Sequence, residues 1–258
     1  MKTIEALLNR KSDRDFTGEH INEEDLELII RAALQSPTSM GAQQISLIVI
    51  DDKKEISKIA KICGGQPQVS AADKFILVIM DFNRTKLAVE LGGKNQIIQD
   101  SLEGLMVGAV DAGIIIGTLE AAIRYLGYGS TVIGAIRNDP KGIINMFNLP
   151  KYTFPLVGIT MGVIDKNKEA LVKPRIPIES FAFRGKYKQE KVTEGIQIYN
   201  QKMRNWWDRQ GLQTMPDYYS SLAEIYSAPY IQEYYDVLKT QGFDFELTQE
   251  RKNVTIQS

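Results

Sequence analysis

The sequence predicts a fold of mixed helices and strands, on three observations. Short β-branched runs alternate with amphipathic helices, the pattern that first suggests a doubly wound nucleotide fold. The longest apolar segment carries charges within it, which marks a core helix and not a membrane span. No glycine-rich loop stands between a strand and a helix, where a doubly wound nucleotide fold needs one to meet phosphate at the helix N-terminus.

The elements follow in order. Residues 3–10, "TIEALLNR", place Ile4, Leu7 and Leu8 at helical spacing. "NEEDLELIIRAALQSP" has Asn22 as N-cap, acids in its first turn, and Pro37 beyond its end. "ISLIVID" and "KFILVIMDF" read as buried strands. Between them "KKEISKIAKICGG" is an amphipathic helix stopped by Gly64 and Gly65. The segment "GLMVGAVDAGIIIGTLEAAIRYLGYG" contains Asp111, Glu120 and Arg124, whereas a span needs roughly 20 apolar residues with few or no charges. It predicts a long buried central helix. Its Gly108, Ala109, Ala112, Gly113 and Gly117 suit close helix packing, including against a symmetry mate. "GSTVIGAIR" reads as a strand or strand-like turn, "DPKGIINMFNLP" as a helix and "FPLVGITMGVID" as a strand. Beyond Pro177 the chain turns aromatic and helical, in "KVTEGIQIYNQKMRNWWDRQ" and "APYIQEYYDVLKTQG".

Composition narrows the chemistry. The 258 residues have an ordinary hydrophobic share of 43% and a net charge of -1, so bulk basicity gives no sign of nucleic acid or membrane binding. Cys63 and His20 are the only residues of their kinds, which excludes an intramolecular disulfide, a CxxC pair and a multi-histidine metal site. His20, just before a helix start, reads as a surface residue. "MKTIEALLNRK" has no apolar signal-peptide core, so a soluble cytoplasmic protein is expected. "GYGSTVIG" and "CGGQPQ" both follow helices, and neither fits GxGxxG.

Two basic clusters stand out. "NRKSDRDF" groups Arg10, Lys11 and Arg14 around Ser12; alone it reads equally well as a solvated surface. In "LVKPRIP", Pro174 favours extended backbone, which projects Lys173 and Arg175 to one side. Guanidinium, ammonium and hydroxyl groups together suit a terminal phosphate.

With "SPTSMGAQQ", "GGQPQV", "VDAGIIIGTLEAAIRYLGYGSTVIGAIRND" and "FPLVGITMGVID", these clusters make the chain resemble the FMN-dependent nitroreductase family, in its NADPH-preferring flavin reductase branch. The resemblance implies an α+β, nitroreductase-like fold: a mostly antiparallel sheet flanked by helices in an intertwined homodimer with FMN at the subunit interface. It implies an FMN-binding core over residues 1–180 and a helical C-terminal extension over 181–258, packed on the core and the partner. By the same resemblance Arg10, Lys11 and Ser12 hold the FMN phosphate and ribityl chain, with Lys173 and Arg175 as a phosphate clamp. Arg14 stands near the flavin pyrimidine edge, where a fixed cation favours the anionic reduced state. Gln66 bonds the isoalloxazine, Ile133, Gly134 and Ala135 turn a backbone N–H toward N5, and Thr38, Ser39, Met40 and Gln43 reach the flavin from the other subunit.

The implied reaction is ping-pong: NADPH or NADH gives a hydride to FMN, and a nitroaromatic, quinone or flavin acceptor then takes it. No protein nucleophile is required. A flavin reductase releasing free reduced FMN and a non-catalytic flavin-binding regulatory or storage protein are the alternatives. Two departures from relatives bear on this. Met40 stands where some carry serine. "SAPYI", with Ala228, stands where some carry Arg-Pro, leaving Arg204 and Arg209 as candidates for the dinucleotide 2′-phosphate. Trp206, Trp207, Tyr218 and Tyr219 read more readily as helix packing than as walls of an acceptor pocket.

Overall fold

The computed structural model describes residues 2–168, 170–227 and 234–245. Four strands, β1 (Ile45–Ile50), β2 (Lys74–Asp81), β3 (Gly129–Ile133) and β4 (Thr153–Gly162), form one sheet in the order β1-β2-β4-β3, antiparallel throughout. Strand alternation divides the core in two. Ile76 and Val78 of β2 join Ile159 and Met161 of β4 on one face, under α2 (Glu23–Leu34) and α6 (Leu102–Tyr125). Phe75, Leu77 and Ile79 point the other way, into a cluster with α3 (Lys53–Ile62), α4 (Pro67–Ala71) and α7 (Pro140–Met146). These strands are buried on both faces, which is why they read as unbroken apolar runs. Burying each such side chain contributes about 1.5–3 kcal/mol. Gly158 is the cost of that packing: a Cβ there would come 1.9 Å from Cζ of Phe75.

The expected helices form where the signals stood. α1 is Lys2–Leu8, and Asn22 caps α2 by accepting from the Glu24 N–H at 2.7 Å. Asp52 caps α3, and Ser101 caps α6. α5 (Phe82–Leu91) was not anticipated: its amphipathicity is weak, and its one local signal is the cap that Asp81 provides to the Arg84 N–H. "GSTVIGAIR" divides into β3 and a 3₁₀ turn over Gly134–Asn138.

The central helix α6 is buried along one face only. Gly108, Asp111, Ala112, Ile115, Leu119 and Ile123 face the core. Leu102, Met106, Val110 and Ile114 form an exposed apolar stripe on another face. The small residues divide likewise. A Cβ on Gly108 would come 2.4 Å from Sδ of Met80, so that glycine serves the chain's own core, while Gly113 and Gly117 have open space beside them. By length and composition the helix could cross a membrane, but its Asp111, Glu120 and Arg124 are bonded within the protein, as shown below.

The chain divides into two compact units, residues 1–170 with 233–258, and residues 171–232. The sequence reading drew its boundary at 180. α10 (Tyr234–Thr240) belongs with the first unit, where Leu238 and Phe243 pack on Phe154, Met80 and Phe82. The second unit holds α8 (Gln189–Asp208) and α9 (Tyr218–Tyr226), joined by the Tyr199–Tyr218 ring pair at 4.9 Å. Gly195 of α8 leaves room for Ser180, whose Oγ lies 1.9 Å from where a Cβ would be.

Candidate active site

The basic N-terminal segment is seated by backbone pairing and by two glycines. The Asp13 N–H donates to the Ser130 carbonyl at 3.0 Å, Thr131 Oγ1 donates to the Asp13 carbonyl at 2.6 Å, and Phe16 bridges Ile164. Gly129 and Gly162 are partners across β3 and β4, and both lie under Phe16, where a Cβ would come 3.2 Å and 2.7 Å from its ring. The segment carrying Arg10, Lys11, Ser12 and Arg14 is thereby fixed beside the start of β3. Ile133 closes that strand about 13 Å along it, and Gly134 and Ala135 open the 3₁₀ turn beyond. Gln66 sits in the turn between α3 and α4, with Oε1 accepting from Gln68 Nε2 at 2.6 Å. This turn flanks the Gly134–Asn138 turn: Asn138 Nδ2 donates to the Ile62 carbonyl at 3.3 Å, and Cys63 and Val69 share a core with Ile133 and Ile136.

The charges of α6 organise this region. Arg10 Nη1 donates to both carboxylate oxygens of Glu120, at 3.1 and 3.2 Å. Arg124 Nη1 donates to Asp13 Oδ2 at 3.0 Å. Burial pushes the Glu120 carboxyl above its usual range, with the Arg10 guanidinium opposing. Arg14 is exposed and reaches back to the Ser12 carbonyl at 3.4 Å.

Thr38, Ser39, Met40 and Gln43 lie elsewhere, in the loop between α2 and β1. Three residues of that loop have positive φ, Met40 (55°), Gly41 (66°) and Gln43 (56°). For the two non-glycine residues this conformation costs about 1–2 kcal/mol each. Thr38 Oγ1 accepts from the Gln43 backbone N–H and from its amide, both at 3.1 Å. Arg84 clamps the far end, donating to the carbonyls of Gln43 at 2.6 Å and Ile45 at 3.3 Å. Met40 is presented outward, 98% exposed. A cavity of about 250 Å³, lined in part by Ser36, Thr38, Gln43 and Arg84, lies against the loop.

Lys173 and Arg175 belong to the second unit. Lys173 Nζ lies over the rings of Trp207 (5.6 Å) and Trp206 (6.0 Å). Arg175 Nη1 donates to the carbonyls of Lys173 and Pro174. A cavity of about 590 Å³ is lined by Pro174, Arg175, Lys202, Asn205, Trp206 and Arg209, among others. The two arginines considered for the 2′-phosphate part company here. Arg204 is bonded to Asp208 and to the carbonyls of Leu212 and Met215, whereas Arg209 lines the cavity. Tyr218 packs on Tyr199, while Trp206 forms cavity wall. Ala228 lies outside the described residues.

Sequence reasoning passed over Asp111 and Glu120 as structural parts of the site. Being the only acids in the apolar segment 104–129, they were the available signal.

A sequence model described as the nitroreductase family matches residues 7–163, and its C-terminal domain matches residues 173–246. The chain belongs to the nitroreductase family. Among nitroreductase-family relatives, it is 37% identical over 250 residues to an NAD(P)H FMN reductase of Bacillus subtilis strain 168, covering 95% of this chain and 99% of that one. It is 31% identical over 206 residues to an NADPH-flavin oxidoreductase of Vibrio harveyi, covering 80% of this chain and 82% of the other. The solved structure of B. megaterium NfrA2 superposes with a TM-score of 0.90 at 30% identity, covering 95% and 99% of the two chains.

The residues present fit the flavin nucleotide that this family implies. Cations and a hydroxyl stand at 10–14, and the amide of Gln66 lies on a turn whose neighbours Cys63 and Val69 share a core with Ile133 and Ala135.

Proposed function

We propose that this chain is an FMN-dependent oxidoreductase that moves a hydride from NAD(P)H to nitroaromatic, quinone or flavin acceptors. It works as a cytoplasmic homodimer with FMN at the subunit interface. FMN, when bound, supplies the hydride-accepting and hydride-donating centre. The residues supply position and charge. Arg10, Lys11 and Ser12, with Lys173 and Arg175, hold the phosphate end, and Arg14 places a fixed cation at the pyrimidine edge. Gln66 and the 133–135 turn orient the ring. Arg209, with Lys202 also in the cavity wall, is the better candidate of the two arginines for a dinucleotide 2′-phosphate, because it lines the cavity and gives only Nε to the Asn205 carbonyl, whereas Arg204 bonds Asp208 and two loop carbonyls. Residues 1–180 serve as the flavin-binding core.

One observation supports a two-chain site above all. The Ser39 N–H is held by Asp111 and Arg10 by Glu120. On an α-helix, residues nine apart are about 14 Å distant along the axis and half a turn apart around it. The sheet register agrees. Ile45 pairs with Met80, and Met80 with Phe154, whereas Gly129 pairs with Gly162 at the far end of β4. Those ends are about 25 Å apart. A ligand lying on one side of α6 meets both groups only when the Thr38–Gln43 loop comes from a second chain. The exposed stripe of Leu102, Met106 and Val110, with Gly113 and Gly117 beside it, offers a surface for that second copy.

The test is the visible spectrum of the purified protein before and after anaerobic NADPH and NADH. A flavin spectrum bleached by either supports the reading and ranks the donors. Flavin that neither reduces favours a binding protein without turnover. A colourless protein that takes up no added FMN overturns the assignment.

A further inference from the structure

The Thr38–Gln43 loop holds a strained shape, and something inside the protein must hold it there. Asp111 is a carboxylate only 3% exposed, on the buried face of α6. Both of its oxygens accept from the Ser39 backbone N–H, at 3.1 Å each, and Oδ2 also accepts from Gln44 Nε2 at 2.8 Å. Gln44 is itself buried, and its carbonyl accepts from the Asp81 N–H at 2.9 Å, tying the loop to the end of β2. One side chain of the central helix therefore grips both ends of the segment containing Met40, Gly41 and Gln43, all at positive φ. A buried carboxylate is costly unless donors satisfy it, and these donors come entirely from the loop and its next residue. Packing alone would be served equally by an apolar side chain at 111, as it is at the adjacent core position Ala112.

We propose that Asp111 is the positioning residue for the flavin-facing loop. It fixes the Ser39 backbone and the direction in which the loop tip is presented across the dimer interface. It touches neither flavin nor substrate, and acts through Ser39 and Gln44. The proposal rests on the reading that this loop reaches FMN bound by the other chain.

The experiment compares the full-length protein with Asp111→Ala, Asp111→Asn, Asp111→Asn paired with Gln44→Glu, and Met40→Asp. Each apoprotein is titrated with FMN by fluorescence, and each holoprotein is examined by visible circular dichroism and by kcat and KM for NADPH. Asp111→Ala is expected to weaken FMN binding about tenfold or more and to change the flavin dichroism, with the association state retained. Asp111→Asn keeps an acceptor for the Ser39 N–H and regains the second bond only if the Gln44 amide turns over to present its oxygen, so a smaller loss is expected. Gln44→Glu presents an acceptor to the amide at position 111 in either orientation and should recover FMN affinity, a rescue that a general packing defect would not show. Asp111→Asn covers the case in which Asp111→Ala fails to fold. Met40→Asp probes the underlying reading by placing a negative charge at the loop tip. If it leaves FMN affinity and dichroism unchanged, the loop does not face the flavin, and both readings fall. If it disturbs them while the Asp111 variants bind FMN as the parent does, the assignment of Asp111 alone is overturned.

Discussion

Asp111 and Glu120 stand nine residues apart on one helix and on opposite sides of it, one holding the Ser39 N–H and the other the Arg10 guanidinium. Two groups assigned to one flavin are thus anchored to opposite faces of the same element.

Mixed dimers test that geometry. A chain carrying Arg14→Ala and a chain carrying Met40→Asp are each expected to bind FMN poorly. In a mixed dimer one of the two sites receives an intact Arg14 and an intact loop. Co-expressed chains with different tags, purified through both, should regain FMN at up to one site per dimer. If both groups serve the flavin of their own chain, no mixed dimer contains an intact site and nothing is regained.

The glycines of α6 should respond to substitution in two ways. Gly108→Ala forces a Cβ against buried Met80 and should destabilise the folded chain by about 1–3 kcal/mol in urea unfolding. A Cβ at Gly113 meets no atom within 4 Å and the position is exposed, so Gly113→Leu is expected to leave the fold intact. Helix packing against a second copy would not tolerate it, and sedimentation should show self-association weakened about tenfold, the equivalent of about 1.4 kcal/mol. Unchanged association would remove this face from the interface.

Asp73 gives the protein a defined acid response. Its carboxyl is buried beside the lone histidine: His20 Nδ1 lies 2.8 Å from Oδ1, and the Ile21 N–H donates to Oδ2 at 2.9 Å. Burial pushes this carboxyl up, but the Ile21 N–H, the His20 bond and Lys53 together outweigh burial and hold it below its ordinary 3.8. With the folded value below the unfolded one, the stabilisation is fully present above about pH 4 and is lost as pH falls through the lower, folded value. Asp73→Asn is therefore expected to cost about 1–3 kcal/mol near neutrality, with the difference shrinking toward about pH 3. Urea unfolding at the two pH values measures it, and an equal gap at both would contradict the assignment. The imidazole itself is exposed, as expected from the sequence, although it is not without a partner.

Arg204 and Arg209, five residues apart on α8 and at its end, should fail differently. Arg204→Ala removes donors to the Leu212 and Met215 carbonyls and should lower the melting temperature, with the KM values for NADPH and NADH moving together if they move. Arg209→Ala, losing a cation from the cavity wall, should raise KM for NADPH about tenfold while leaving that for NADH and the melting temperature near the parent values. Equal effects on both dinucleotides would remove Arg209 from 2′-phosphate recognition.

The sequence by itself determined the elements and the chemistry at hand. The β-branched runs at 45–51 and 74–82, the cap at Asn22 and the charged apolar segment each encode structure within a few residues, where local geometry and solvation decide the outcome. The cations at 10–14, in order with the other motifs, were enough to indicate the family. Helical periodicity also marked α6 as apolar, but it could not say which neighbour covers which face. Only the tertiary structure did that, setting Gly108 against Met80 and leaving Gly113 and Gly117 open. Nor could spacing assign Asp111 to Ser39, 72 residues away, or Glu120 to Arg10, 110 residues away. Both acids cost free energy when buried without donors, and the donors that satisfy them exist only once the loop and the N-terminal segment have docked on opposite sides of the helix.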